Sequence, residues 1–212
     1  MLIKGIRILG ISLKDTQRAL LLDYLLLLEK WNAVYNLTSI KNIEQMLIYH
    51  VLDSLSIVPY LSKIGPTRIL DIGSGGGLPG VVLAIVFEDW KITLNDSMHK
   101  KSAFQMHTKT KLNLKNLSIV TGRVETLTPG YDVPEKFGVI VSRALTNLSS
   151  LLKISRHLMA PGCSIWAMKG ANIEKEILNL PVGSFVKKIV YLTVPMLNAN
   201  RCLIEIALDK EN

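Results

Sequence analysis

A buried strand that runs directly into a glycine-rich turn constrains the fold of this chain more than any other feature. Residues 69–80 read Ile-Leu-Asp-Ile-Gly-Ser-Gly-Gly-Gly-Leu-Pro-Gly, with five glycines in the last eight positions. Glycine lets a backbone turn sharply and approach a ligand closely, and Pro79 suits the first turn of a following helix. In an open parallel sheet such a turn lies outside the carboxyl ends of the strands, where ligands bind. We therefore predict a ligand-binding loop; the alternative is a tight turn without a ligand, which the entropic cost of so many glycines disfavours.

From residue 67 onward, short apolar segments alternate with helical patterns. The predicted strands are Arg68–Ile72, Lys91–Asn95, Leu117–Val120, Phe137–Val141, Ser164–Met168, Lys187–Thr193 and Cys202–Ala207. The predicted helices are Gly80–Val86, Lys100–Leu112, Asn147–Leu158 and Ile173–Asn179. Strands that alternate with helices pair in parallel through right-handed crossovers. No helical pattern separates the last two strands, so we predict an α/β fold whose mostly parallel seven-stranded sheet ends in an antiparallel C-terminal hairpin.

The first 66 residues are helical in pattern. Apolar residues recur at helical spacing in a first helix, at Leu13, Leu20, Leu21, Tyr24, Leu27, Leu28 and Trp31. A second helix is predicted from Asn42 to the residue before Pro59. Two amphipathic helices alone make a weak core. We therefore expect residues 1–66 to form a helical extension packed on a main domain of residues 67–212.

Composition excludes several classes of protein. With 49% hydrophobic and 20% charged residues, the chain is not intrinsically disordered. Its richest apolar stretch, residues 19–28, contains Asp23 and is far shorter than the ~20 residues that a bilayer requires. Two cysteines, Cys163 and Cys202, cannot form a disulfide framework and lack metal-ligand spacing, which indicates a reducing, cytoplasmic setting. The net charge of +8 points to a polyanion, either nucleic acid or an anionic membrane surface.

The glycine pattern by itself leaves two cofactor classes open. Residues 75–80 match the G-x-G-x-x-G fingerprint of dinucleotide sites, whereas residues 73–77 match the G-x-G-x-G of S-adenosylmethionine sites. The carboxylate of Asp71 is unfavourable beside a pyrophosphate, but it suits a ligand that bears an ammonium and a sulfonium. Asp96, at the end of the second strand, is placed to accept from ribose hydroxyls in either class. Its alternative role is to cap the helix that follows.

Six motifs along the chain make the pattern more specific. In order they are Trp31-Asn32-x-x-Tyr35-Asn36-Leu37-Thr38, His50-x-Leu52-Asp53-Ser54, Asp71-x-Gly73-x-Gly75-x-Gly77-Leu78-Pro79-Gly80, Val141-Ser142-Arg143-Ala144, Met168-Lys169-Gly170 and Arg201. With these motifs the chain resembles the bacterial guanine-N7 methyltransferases of small-subunit ribosomal RNA, a family also called glucose-inhibited division protein B. The resemblance covers residues 20–208.

That resemblance implies a Rossmann-like class I methyltransferase that uses S-adenosylmethionine. Carried over by motif position, the cofactor contacts are expected at Gly73, Gly75, Leu78, Asp96, Val124, Glu125 and Arg143. Val124 and Glu125 would lie by the adenine, and Arg143 would line the site. The sequence departs from the family at Gly76, which is often proline, and at Asn95, where many relatives have an apolar residue.

The resemblance also implies a substrate and a reaction. The substrate would be one guanine of 16S ribosomal RNA, free or in the assembled small subunit, and we expect a cytoplasmic monomer.

Methyl transfer to guanine N7 needs no general base, because this nitrogen offers a lone pair and carries no proton. The reaction needs orientation, which can supply about 7–11 kcal/mol. This matches a sequence with no paired carboxylates, histidine-centred triad or metal cluster, so we expect neither a catalytic base nor a metal. After the fourth strand, Val141-Ser142-Arg143-Ala144 also lacks the Asp/Asn-Pro-Pro-aromatic signature of amino-group methylation.

Several further residues have two possible roles. The segment between Ser97 and Val124 has no acidic residue, and it is either an RNA-binding surface or a solvated face. Its basic residues are Lys100, Lys101, Lys109, Lys111, Lys115 and Arg123. Lys169 and Arg201 are either substrate contacts or solvated side chains, and a local hydrogen bond is expected between His50 and Asp53. Two other functions stay open: an NAD-dependent oxidoreductase, and a non-catalytic RNA-binding module with a degenerate cofactor site.

Overall fold

A computed structural model describes residues 1–170 and 173–209 of the chain, and helices form its first part. These helices are α1 (Leu2–Ile8), α2 (Asp15–Tyr35), α3 (Ile43–Met46), α4 (Asp53–Leu55) and α5 (Val58–Leu61), with a π-helical turn at Leu47–Leu52 between α3 and α4. The predicted helix that starts after Asn42 is confirmed from Ile43 to Leu55, where the chain is helical without a break and contains the π-helical segment. Asn42 caps it as expected, but it ends before Ser56, and Pro59 lies in the first turn of α5, where a missing N–H costs nothing. Helix α1 was not predicted because Gly5 and Gly10 obscure its pattern.

The described part of the chain forms a seven-stranded sheet. Its strands are β1 (Arg68–Ile72), β2 (Lys91–Asp96), β3 (Leu117–Thr121), β4 (Phe137–Arg143), β5 (Met159–Lys169), β6 (Ser184–Leu192) and β7 (Arg201–Leu208). The spatial order is β3-β2-β1-β4-β5-β7-β6. Strands β1 to β5 pair in parallel, whereas β7 is antiparallel to both β5 and β6. The predicted mostly parallel sheet with an antiparallel C-terminal hairpin is therefore confirmed.

Helices cover both faces of this sheet. They are α6 (Gly80–Val86), α7 (His99–Lys111), α8 (Leu148–Ser155) and α9 (Glu174–Leu178), with short 3₁₀ turns at Val124–Thr126 and Arg156–Leu158. Ile69 and Leu70 are adjacent in β1 but belong to opposite hydrophobic clusters, because side chains alternate along a strand. The cluster around Ile69 also holds residues of α1, α2 and α5, so the N-terminal helices share the main core. A domain boundary after residue 66 stays a prediction. Among the described residues, no helix combines the length and the apolar character needed to cross a bilayer.

Strand register brings distant residues to one edge of the sheet. Ile72 of β1 pairs with Asn95 of β2 and with Ser142 of β4, and Arg143 pairs with Met168 of β5. The segments that follow these strands therefore emerge side by side at the carboxyl edge, which is where an open α/β sheet binds ligands.

Candidate active site

A cleft of about 510 Å³ opens at the carboxyl edge of the sheet. One wall is the glycine loop (residues 73–80), and the rest comes from the ends of β4 and β5, the start of β7 and the N-terminal helices. The residues that line it include Thr38, His50, Asp53, Gly73, Gly75, Gly76, Leu78, Arg143, Lys169, Gly170 and Arg201. A larger hollow of about 770 Å³ lies at the opposite, amino edge, beside Arg68 and Lys91. Because ligands of α/β sheets bind at carboxyl ends, the smaller cleft is the candidate site.

Gly75 forms the most open part of the glycine loop. Its φ of +57° lies in the left-handed region, which favours glycine. A Cβ at this position would meet no atom closer than the Gly73 carbonyl oxygen at 3.9 Å. The backbone is thus bare on the side that lines the cleft, and a ligand can approach it closely. This geometry fits a cofactor laid along the loop.

Two buried side chains hold the carbonyl groups of this loop. The Tyr24 hydroxyl donates to the Gly76 carbonyl at 2.6 Å, and Gln105 Nε2 donates to the Gly75 carbonyl at 2.8 Å. Burial raises the pKa of Tyr24, so its hydroxyl stays protonated and can donate. Sequence reasoning placed Tyr24 only in an apolar stripe and gave Gln105 no role. A signal was available for Tyr24, since a hydroxyl within a buried leucine stripe needs a hydrogen-bond partner.

Asp71 lies behind the loop and not in the wall of the cleft. Its Oδ2 accepts from the Gly80 backbone N–H at 2.8 Å, and its Oδ1 has no hydrogen-bond partner among the described residues. Burial raises the pKa of this carboxyl to about 7. The sequence suggested a charge contact between Asp71 and the ligand. The observed contact is structural, because Asp71 ties the end of β1 to the start of α6.

Asp96 holds the other side of the loop. Its Oδ2 accepts from the Gly75 N–H at 2.9 Å, and its Oδ1 accepts from the Met98 N–H at 2.9 Å, just before α7. The alternative role as a helix cap is not observed, because Met98 is the N-cap of α7 and no side chain caps that helix. Lys101 Nζ lies 3.5 Å from Oδ2. A carboxylate has about four lone-pair sites, so the predicted contact with a ribose remains possible and stays a prediction.

The seven predicted cofactor residues divide into two groups. Gly73, Gly75, Leu78 and Arg143 line the cleft. The other three, Asp96, Val124 and Glu125, lie outside its wall, towards β2 and β3: Val124 is buried in the core, and Glu125 is exposed. Asn95, where many relatives have an apolar residue, donates to the carbonyl groups of Val120 and Gly122 and joins the ends of β2 and β3.

Two arginines and one buried acid form the opposite wall. Arg143 Nη1 donates to Asp53 Oδ2 at 3.0 Å and to the Tyr49 carbonyl at 2.8 Å. Arg201 Nε donates to the second oxygen of Asp53, Oδ1, at 3.2 Å. Arg143, which was expected to line the site, does so and also forms an ion pair with Asp53. Arg201 is not a merely solubilising residue at the sheet edge.

His50 completes this arrangement. Its Nε2 lies 2.9 Å from Thr38 Oγ1, and its Nδ1 lies 3.4 Å from Arg143 Nη2. Burial and the neighbouring Arg143 charge lower the pKa of His50 to about 4, so the ring is neutral at pH 7. The expected direct bond between His50 and Asp53 is not observed, because both side chains contact Arg143 instead. We call Thr38, His50, Asp53, Arg143 and Arg201 the charged wall.

Lys169 is engaged within the protein. Its Nζ donates to Glu176 Oε2 at 2.8 Å and to the Thr146 carbonyl at 2.5 Å, and its side chain is largely buried. The reading of Lys169 as a solvated loop residue is therefore wrong. Because Glu176 neutralises its charge, Lys169 adds no net charge to the cleft.

The basic segment between Ser97 and Val124 runs from one edge of the sheet to the other. Helix α7 has 13 residues and therefore spans about 20 Å, from the carboxyl edge of the sheet to its amino edge. Lys100 and Lys101 lie at its start, near Tyr35 and Asp96. Lys115 lines the hollow at the amino edge. Its two ends therefore lie at opposite edges of the sheet, and an RNA-binding role for this segment stays a prediction.

Known proteins resemble the chain in fold and in sequence. Two solved structures share the fold: the glycopeptide N-methyltransferase MtfA complexed with S-adenosylmethionine (TM-score 0.60, 11% identity, covering 76% of this chain and 95% of that one), and a ribosomal protein L11 methylase from Lactobacillus delbrueckii subsp. bulgaricus (TM-score 0.53, 13% identity, covering 74% and 77%). At such identities the likeness establishes the fold alone.

The sequence relatives are far more similar. The ribosomal RNA small subunit methyltransferase G of Burkholderia multivorans is 61% identical over 99% of this chain and 92% of its own length. The protein of the same name from Burkholderia ambifaria is 60% identical over 100% and 93%. The GidB family model, described as rRNA small subunit methyltransferase G, matches residues 17–204. This match decides between the functions that the sequence left open: the chain belongs to the GidB family of small-subunit ribosomal RNA methyltransferases.

Proposed function

We propose that this chain methylates N7 of one guanine in 16S ribosomal RNA, with S-adenosylmethionine as methyl donor. Membership of the GidB family supports the reaction class and the RNA. The observation that supports the site is the single cleft in which the glycine loop faces the charged wall. When bound, S-adenosylmethionine supplies an electrophilic methyl group.

The glycine loop is the proposed binding surface for the cofactor. Gly73, Gly75 and Leu78 would contact it along the loop, where the bare backbone at Gly75 permits close approach. Arg143 would line the same pocket from the opposite wall. Towards β2 and β3, Asp96 would accept from the ribose hydroxyls, with Val124 and Glu125 by the adenine. These assignments agree with the position of each residue at the carboxyl edge of the sheet.

The charged wall is the proposed binding surface for the RNA. Arg143 and Arg201 carry two positive charges and Asp53 one negative charge, so the wall keeps a net positive charge that attracts phosphate. Guanine N7 carries no proton, and the wall has only to hold the base in line with the donor. His50 keeps a neutral ring against Arg143 and adds no further charge.

The ease of unstacking the target base indicates which kind of nucleotide the enzyme modifies. A base in a loop is unstacked more easily than one in a duplex, which favours a loop nucleotide, in free RNA or in the assembled small subunit. One copy of the chain supplies both walls of the cleft, so we propose a monomer. Both cysteines are free and buried, in keeping with a reducing, cytoplasmic setting.

Methyl transfer with labelled S-adenosylmethionine tests the proposed function. The substrates are ribosomal RNA and small subunits from a strain that lacks this protein, and N7-methylguanine is mapped by reduction and aniline cleavage. We expect label on one guanine. In matched subunits reconstituted with 7-deazaguanine RNA, which has carbon in place of N7, we expect none.

Other outcomes would contradict the proposal. Equal labelling of 7-deazaguanine RNA would place the methyl group on another atom. Binding of RNA without any transfer would favour the non-catalytic module. Calorimetric titration with S-adenosylhomocysteine and with NAD completes the test, since tight binding of NAD alone would favour an oxidoreductase.

A further inference from the structure

We propose that Asp53 is a positioning residue that fixes Arg143 and Arg201 and cancels one of their two charges, so that the cleft accepts a cationic donor and a base that becomes cationic. The proposal rests on the proposed function, because it concerns the charge that moves during N7 methylation. It assigns Asp53 a role that needs no direct contact with either reactant.

The position of Asp53 between two strand ends supports this role. Arg143 ends β4 and Arg201 begins β7, and each guanidinium pairs with a different oxygen of Asp53, at 3.0 and 3.2 Å. The Asp53 side chain is only 3% exposed, whereas the two arginine side chains are 20% and 26% exposed. The acid thus lies behind the arginines, which face the cleft.

The local structure holds Asp53 in place. It follows the π-helical turn at Leu47–Leu52, and such turns occur frequently at functional sites. The same turn provides the Tyr49 carbonyl, which accepts from Arg143 at 2.8 Å. Backbone and side chain of one segment therefore fix Arg143 together, and a shift of Asp53 would move both arginines.

Charge counting shows what Asp53 contributes. Without it, the wall would hold two guanidinium charges, since His50 is neutral at pH 7 and Lys169 is paired with Glu176. With it, the net charge of the wall falls to a single positive charge. Buried charges that lack a partner are costly, and the arginines would otherwise repel each other and any cation in the cleft.

The reaction keeps a positive charge beside this wall throughout. The lone pair of guanine N7 forms a bond to the methyl carbon, while the carbon–sulfur bond breaks and its electron pair stays on sulfur. The sulfonium becomes a neutral thioether, and the guanine ring becomes a cation. A wall with one extra positive charge would therefore oppose binding of the donor and also the transition state.

Replacing Asp53 by asparagine (Asp53→Asn) separates charge from shape. We expect the dissociation constant of S-adenosylmethionine to rise about tenfold, while that of S-adenosylhomocysteine, which lacks the sulfonium charge, changes less than about twofold. Isothermal titration of the full chain measures both. If Asp53 served the fold alone, both ligands would lose affinity equally, and that result would overturn the proposal.

A double variant provides the matched control. Asp53→Asn combined with Arg201→Gln returns the wall to one positive charge, and we expect most of the preferential loss for S-adenosylmethionine to disappear. In methyl-transfer assays, Asp53→Asn should raise KM for S-adenosylmethionine about tenfold with little change in kcat, because the positive charge is present both before and during transfer. KM for RNA should not rise, because the added positive charge does not weaken phosphate attraction. A loss confined to kcat, a rise in KM for RNA, or no recovery in the double variant would contradict the charge role.

A single variant covers the case in which Asp53→Asn does not fold. Arg201→Gln alone removes one positive charge, and we expect it to improve binding of S-adenosylmethionine relative to S-adenosylhomocysteine. An unchanged ratio would refute the proposal. The binding ratios need no RNA, so they remain informative if the unaltered chain fails to methylate N7, and such a failure would count against the proposed function alone.

Discussion

The glycine loop and the charged wall face each other across one cleft, but different forces hold them. The loop is fixed by backbone groups that pair with buried side chains, such as Tyr24 on Gly76 and Gln105 on Gly75. The wall is fixed by ion pairs between side chains, with Asp53 between two arginines. One side of the cleft should therefore be insensitive to moderate changes in salt, and the other should depend on charge.

The titratable groups of the two sides are perturbed in opposite directions. Burial raises the pKa of Asp71, behind the loop, to about 7. Burial, together with the Arg143 charge, lowers the pKa of His50, in the wall, to about 4. Desolvation favours the neutral form in both cases, but a neutral acid has gained a proton and a neutral histidine has lost one. The two sides should therefore respond to pH with opposite signs.

Asp71→Asn gives the largest expected effect. The folded chain holds a proton on Asp71 between about pH 4 and pH 7, where the unfolded chain does not, so this group stabilises the fold as the pH falls. Asparagine does not titrate, so the variant lacks this stabilisation at low pH. We expect the unfolding free energy of the wild type to rise relative to the variant by up to about 4 kcal/mol from pH 8 to pH 4, measured by denaturant unfolding.

His50→Asn should show the reverse trend in the same experiment. The unfolded chain protonates His50 below about pH 6.5, but the folded chain does so only near pH 4, so stability is lost as the pH falls through this window. The wild type should lose up to about 3 kcal/mol relative to this variant from pH 7 to pH 4. If the unfolding free energy of the wild type changed with pH in the same direction relative to both variants, the two sides of the cleft would not respond to pH with opposite signs.

The same contrast explains what the sequence could predict. Strand β1 and the glycine loop are contiguous, so their residues indicate both the turn and its place at the sheet edge. The wall joins residues that lie 90 and 148 positions apart, as Asp53 does with Arg143 and with Arg201. No local pattern encodes such pairs; only the strand order and the unpredicted π turn bring them together.

Even within the loop, the sequence identified positions better than contacts. It located Asp96 correctly at the end of a strand, but the partners of its oxygens are backbone N–H groups whose direction depends on the folded loop. The layout of the basic segment depends on the fold for a related reason. Composition along the chain cannot reveal that α7 places Lys101 and Lys115 at opposite edges of the sheet.

Gly80→Ala tests how tightly the loop is packed. A Cβ at position 80 would collide with the buried side chain of Leu94 and would lie 2.7 Å from Asp71 Oδ2. Overpacking of this kind costs about 1–3 kcal/mol, so we expect that loss in unfolding free energy, together with weaker cofactor binding. Gly170→Ala, across the cleft, is the control, because its Cβ would meet no atom within 4 Å. Equal destabilisation by both substitutions would show that the loop is no more tightly packed than the other side.

Tyr24→Phe gives the smallest expected effect and tests whether the loop depends on neutral hydrogen bonds. The substitution removes the hydroxyl that donates to the Gly76 carbonyl at 2.6 Å and keeps the buried ring. We expect a loss of about 1 kcal/mol in unfolding free energy, the typical net contribution of one hydrogen bond, and a severalfold rise in the dissociation constant of S-adenosylhomocysteine. Denaturant unfolding and calorimetry measure the two effects.

Tyr35→Phe, on the same helix, is the matched control for this substitution. Tyr35 is 45% exposed, so the loss of its hydroxyl should change stability by no more than about 0.5 kcal/mol. The effect of Tyr24→Phe should also be the same at low and high salt, because neither the phenol nor the carbonyl is charged. Strong salt dependence would mean that the loop feels the charged wall, and the two sides of the cleft would then form one electrostatic unit.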